Sequence, residues 1–147
     1  MATLARSGIP THLWVVGGLA LAWNAIGAFD YTMTQYGGVE YLRSAGMDAA
    51  SIAWMAGVPA WAEAGWALGV WGGVAGAILL LLRSRFAVWA FAVSLLGVAM
   101  MTAYAYTRDL PLALSSPGAM AFDWTIKIVA ALLLWYAWRM RLRGVLR

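Results

Sequence analysis

Four ionisable side chains, Asp30, Glu63, Asp123 and Lys127, and one amide, Asn24, sit inside or at the ends of long apolar runs. A charge at the middle of a bilayer costs about 2.5–3.5 kcal/mol on insertion scales, so residues kept there are candidates for holding a solute or ion. Asp123 and Lys127 stand i, i+4 with the acid first, the favoured order for an ion pair on one helix face. That spacing supports two readings: a self-neutralising pair that lets Lys127 lie below the interface, or part of a substrate or ion site. Asn24 can hydrogen-bond to a neighbouring helix, a contact typically worth about 0.6 kcal/mol in membranes. Trp23, Trp61, Trp66, Tyr104 and Tyr106 could line a pocket with Asp30 and Tyr31, although rings at span ends more often anchor a helix at the headgroups.

Other chemistries lack their residues. The chain has no Cys and therefore no thiolate nucleophile, disulfide or iron–sulfur cluster, and its single His, His12, cannot supply a histidine metal cluster or a bis-histidine haem. Paired carboxylates can do acid–base work, but neither spacing nor a cofactor motif selects a reaction. We therefore expect no catalytic residue, metal or cofactor. The net charge of +4 comes from short basic patches beside apolar runs rather than from one soluble face, which argues against a nucleic-acid partner.

The elements that must position the candidate residues are membrane helices. Of 147 residues, 64% are hydrophobic and 11% charged, against about a quarter charged in a soluble domain. Four apolar runs are long enough to cross a hydrocarbon core of about 30 Å: Leu13–Thr34, Trp61–Leu82, Phe86–Thr107 and Gly118–Trp138. Continuous segments such as Ile78–Leu82 and Val129–Leu134 exclude a β-barrel, whose strands alternate. The expected fold is all-α, a single four-helix transmembrane domain over residues 1–147.

Arg6, Arg83, Arg85, Arg139, Arg141, Arg143 and Arg147 flank one side of these spans, whereas the other side holds Arg43 and Arg108 offset by Glu40, Asp48 and Asp109. The positive-inside rule then places both termini and the Arg83–Arg85 turn in the cytoplasm. Arg6 followed by Leu13–Ala22 also resembles a cleavable signal peptide, but apolar character resumes through Phe29, so an uncleaved first helix is expected. In the long external loop, Gln35–Ala60, Asp48 suits the N-cap of a short interfacial helix, Ala49–Ala56, ended by Gly57. Pro59 suits the first turn of the second span.

This topology puts Asp30, Glu63, Asp123 and Lys127 on the external half, where they can converge. Gly65, Gly69 and Gly73, with Gly72 and Gly76 as a second series, form a small-residue packing groove on the second span. Its expected partner is the first span, through Gly17, Ala20, Asn24 and Gly27, or another subunit.

Trp23-Asn24-x-x-Gly27-x-x-Asp30-Tyr31-x-Met33-Thr34-Gln35, Pro59-Ala60-Trp61 and Trp66–Gly73 form a familiar pattern, with Leu79–Arg85, Ser94–Gly97 and Gly144–Arg147. The chain resembles a family of small bacterial inner-membrane proteins of about this length that span the membrane four times and often carry the description "sugar transporter". The resemblance covers nearly the whole chain. It implies the bacterial cell inner membrane and transport of a small polar solute such as a sugar, and it assigns no site residue. The expected function is accordingly a small permease-like protein, working as a homo-oligomer in the lipid bilayer. The alternative is a non-transporting accessory or structural subunit packed against a larger membrane complex.

Overall fold

A computed structural model describes residues 10–147 and is all-helical; Arg6, used above for orientation, lies outside them. The chain order is α1 (Thr11–Ser44), α2 (Ala49–Ala56), α3 (Ala60–Leu81), α4 (Ala87–Tyr106) and α5 (Pro117–Leu142). All but α2 are long and apolar enough to cross a membrane, so the chain is a small polytopic membrane protein. Large apolar side chains such as Leu19, Ile26, Trp89 and Leu132 cover its outside, the surface that lipid requires. With four spans, α1 begins and α5 ends at one end of the bundle, here the basic end; α2 lies at the other, the loop end.

The first span runs ten residues beyond its expected limit at Thr34. Gln35–Ser44 is helical too, re-aimed at Gly38, whose φ of 53° and ψ of −139° only glycine adopts readily. Periodicity could not show this, because Gln35, Tyr36 and Glu40 are polar yet helix-compatible. α2 has the expected bounds. Its N-cap Asp48 accepts a 2.8 Å hydrogen bond from the Ser51 backbone N–H. Its interaction with Ser51 holds the Asp48 carboxyl below its ordinary range. Pro59 is the N-cap of α3 rather than part of its first turn.

α3 is the central helix, packed most closely on α4 and next on α1, while α5 leans on α4. Side-chain volume explains the order. A Cβ on Gly97 of α4 would collide with the Gly65 carbonyl oxygen and the Gly69 backbone nitrogen. A Cβ on Gly72 would lie 3.0 Å from the Ser94 nitrogen, one on Gly65 2.7 Å from the Met100 Cβ, and one on Gly76 2.7 Å from the Phe91 ring. Across the same seam the buried Ser94 hydroxyl donates to the Gly69 carbonyl at 2.6 Å.

The glycines divide differently from the expectation: Gly65, Gly69, Gly72 and Gly76 face α4, and Gly73 faces α1. The cause is helical drift. Steps of four, three and four residues keep to one face, whereas each successive step of four turns by about 40°. All five glycines thus meet a helix of the same chain, four of them α4, and this seam is not open to a second subunit.

At the basic end, Leu13, Leu80, Ala87, Phe91, Leu133, Ala137, Met140 and Leu146 form one buried cluster. Gly144, at φ 69°, turns the chain after α5 back over the α3–α4 connection. There the Arg85 N–H donates to the Arg147 carbonyl at 2.9 Å, and the Arg147 N–H to the Arg83 carbonyl at 2.8 Å.

Gly97→Ala drives a Cβ into immobile backbone and is expected to cost about 1–3 kcal/mol, read as a lower melting temperature in detergent. Gly18→Ala, whose Cβ meets nothing within 4 Å, is expected to be neutral or slightly stabilising. Equal effects at the two positions would show that the α3–α4 approach is not what organises the bundle.

Candidate functional site

The residues expected to form one polar site are held in separate contacts. Asn24, on α1, occupies the notch left by Gly73 of α3, where a Cβ would overlap its Oδ1. Its amide nitrogen donates at 2.8 Å to the Ala20 carbonyl one turn back, so part of its polarity is satisfied within its own helix. Asp30 is exposed and accepts a 2.8 Å hydrogen bond from the Tyr41 hydroxyl, which the turn at Gly38 brings back beside it. Glu63, half-buried in the first turn of α3, accepts one of 2.7 Å from the Gln35 amide of α1.

Asp123 and Lys127 pair with each other along α5, the one ion pair among the described residues. The Lys127 ammonium also lies 5.1 Å from the centroid of the Trp124 ring, within cation–π range. The Lys127 side chain is 19% exposed and that of Asp123 57%. No hydrogen bond or ion pair links these contacts to one another among the described residues.

The aromatic residues likewise separate into pairs. Tyr31 meets Trp66 edge-on at 5.0 Å across the α1–α3 seam, and Trp23 approaches Phe122 of α5 at 6.1 Å. Tyr104 lies 5.2 Å from Trp54 and 6.2 Å from Trp61, and its hydroxyl donates to the Gly57 carbonyl at 3.0 Å. Tyr106 is exposed. His12 accepts or donates at 2.6 Å to the Tyr136 hydroxyl, tying the start of α1 to the end of α5.

Of the aromatics expected to line a pocket, Tyr104 alone does so in either of two surface concavities, and none of the candidate polar residues lines them. One, of about 390 Å³ at the loop end, is lined by Ala53, Trp54, Gly57, Tyr104, Arg108 and Asp109. The other, of about 600 Å³, is a shallow apolar trough on the outer face of α3 and α4.

Sequence reasoning missed Gln35, Tyr41, Ser94 and Gly97 as partners and Arg108 with Asp109 as cavity walls. Gly97 and Ser94 carried a usable signal, since they are spaced i, i+3 and are small in a run of larger residues. Tyr41 carried none, because its return to Asp30 depends on the backbone turn at Gly38. Compared with known proteins, the chain matches no family model, and no curated protein and no solved structure is significantly similar to it.

If the polar contacts are independent, Asp30→Asn and Glu63→Gln are expected to change stability additively, to within about 0.3–0.5 kcal/mol. Asp30→Asn and Tyr41→Phe, which share one hydrogen bond, are expected to deviate from additivity. Thermal or denaturant unfolding of the single and double variants measures both, and strong coupling between Asp30 and Glu63 would restore a common site.

Proposed function

We propose that this protein is a non-transporting accessory subunit that packs against another membrane protein through α5. The observation that carries the reading is the poor cover of that helix. Only 6% of the residues in its most apolar stretch are buried, against 22%, 28% and 33% for the other spans. Its buried residues, Leu133, Ala137 and Met140, all lie towards the basic end. Nearer the loop end, Phe122, Trp124, Ile128 and Leu132 are exposed.

The charge pair falls on this same uncovered half. Asp123 lies about 9 Å and Lys127 about 15 Å along the helix from Pro117, at depths where lipid solvates a charge poorly. A neighbouring polypeptide that donates hydrogen bonds to the half-exposed carboxylate would lower that cost. A helix bearing small and polar side chains has the required chemistry. The remaining carboxylates of the candidate site, Asp30 and Glu63, support the reading in another way, because each already has its own partner within the chain.

The cell inner membrane of a bacterium, with both termini cytoplasmic, is the setting that the arginine asymmetry and the family resemblance support. A second reading, transport of a small polar solute such as a sugar, finds its support in the loop-end cavity. Trp54 and Tyr104 line it with aromatic surface, and Arg108 and Asp109 with charged hydrogen-bonding groups.

The test is stoichiometric co-purification in mild detergent from native membranes, comparing the wild type with the Asp123→Leu, Lys127→Leu double variant. The expected result is one membrane protein retained by the wild type and lost from the variant, with the variant's own insertion and melting temperature maintained. A wild type that runs alone would overturn the reading. So would solute uptake that survives the double variant and is abolished by Arg108→Gln, which would establish the transport reading instead.

A further inference from the structure

We propose that the α3–α4 hairpin holds one anionic phospholipid, its phosphate on the arginines of the turn and one acyl chain in the apolar trough below. The trough follows from the close packing already described. Small residues along the seam, among them Gly72, Ala75 and Ala90, form its floor, and Trp71, Trp89 and Phe86 stand as walls. No charged side chain lines it.

Its length matches one leaflet. From Leu79 to Ala67 the trough runs twelve residues, about 18 Å by helical rise, enough to cover half of a hydrocarbon core, about 15 Å. It begins directly beneath the α3–α4 turn, so a chain lying in it would have its headgroup at that turn.

The turn is built to attract a negative group. Backbone hydrogen bonds between the C-terminal tail and the turn bring the main chains of Arg83, Arg85 and Arg147 together, so three guanidiniums issue from one short stretch of surface; Arg83 also donates from Nε to the Val145 carbonyl at 3.4 Å. Arg83 adopts a φ of 59°, uncommon for a side-chain-bearing residue and stabilised here by these tail contacts. None of the three forms an ion pair with a carboxylate among the described residues. A phosphate able to accept several N–H donors at once suits guanidiniums that have no carboxylate within ion-pair distance among the described residues.

Arg85 joins the two halves of the site. Its guanidinium carbon lies 5.5 Å from the centroid of the Phe86 ring, and Phe86 is a wall of the trough. The positive charge therefore stands over the mouth of the apolar slot, the arrangement of headgroup above chain that a phospholipid presents. A purely apolar helix would fill the trough but leave the guanidiniums unmatched, whereas an anionic phospholipid answers both, so charge complementarity favours the lipid. The face is distinct from α5, and the two proposals stand or fall separately.

The experiment is native mass spectrometry of the whole protein released from nanodiscs containing equal phosphatidylglycerol and phosphatidylcholine. The expected result is one phosphatidylglycerol retained in preference to phosphatidylcholine. Arg83→Gln with Arg85→Gln is expected to weaken retention about tenfold, whereas Arg141→Gln, on the exposed last turn of α5, is expected to leave it unchanged. Filling the trough with Ala75→Leu and Ala90→Leu, which keeps every arginine, is expected to reduce retention as well. Equal retention of the two lipids, or undiminished retention in the filled-trough variant, would overturn the proposal. So would a stable dimer that carries no lipid and is broken by the trough substitutions.

Discussion

Everything in this bundle depends on how closely the backbones of α3 and α4 approach at Gly65, Gly69 and Gly97. Inside a bilayer the hydrophobic effect does not press one apolar helix against another, so association rests on dispersion contacts and on the few hydrogen bonds that can form. Removing three side chains lets main-chain atoms meet. The Ser94 hydroxyl then reaches the Gly69 carbonyl, adding a polar contact where lipid would offer no competing partner. Once α3 is fixed to α4, its opposite face bears Gly73, and Asn24 of α1 enters the notch. The order of packing follows from where the small residues lie. α5 packs through Leu133, Ala137 and Met140 near the basic end and remains loosely covered towards the loop end.

The same close approach shapes both surfaces proposed to engage other molecules. Glycine and alanine along the seam leave a trough on its lipid side, since Trp71 and Trp89 flank a floor with little side-chain volume. At the basic end, the hairpin turn is short enough for the C-terminal tail to pair with it, and that pairing brings the main chains of the arginines together. On the other side of the molecule, the Asp123–Lys127 pair sits on the helix that the seam does not hold. Its two members neutralise each other, yet the carboxylate remains more than half exposed. The carboxylates thus differ: Asp30 and Glu63 each accept from a neutral partner within the chain, whereas Asp123 is paired with Lys127 and keeps capacity left over.

The four spans and the short interfacial helix are legible in the sequence because each depends on local information. Long apolar runs, Asp48 ahead of Ala49 and Gly57 after Ala56 all act within a few residues. Asp123 and Lys127 are legible as a pair for the same reason, since four residues of one helix settle their contact. Pairings between helices are harder to read. The glycines of α3 announce a groove, but the choice of α4 over α1 depends on the drift between steps of three and four and on Gly97 being small at the matching height. The contact between Tyr41 and Asp30 lies beyond sequence reading, because it needs the turn at Gly38 to redirect the last part of α1. Expecting Asp30, Glu63, Asp123 and Lys127 to converge rested on their shared depth in the membrane. Depth alone does not determine which way a side chain faces.

The most direct test of the central claim is photo-crosslinking in native membranes, with a photoreactive residue placed in turn at Phe122, Ile128 and Leu132 of α5 and at Ile26 of α1 and Leu96 of α4. The account predicts a single protein adduct from the three α5 positions and only lipid adducts from Ile26 and Leu96, all of which are exposed. Lipid adducts alone at every position would contradict it, and α5 would then be an ordinary lipid-facing helix.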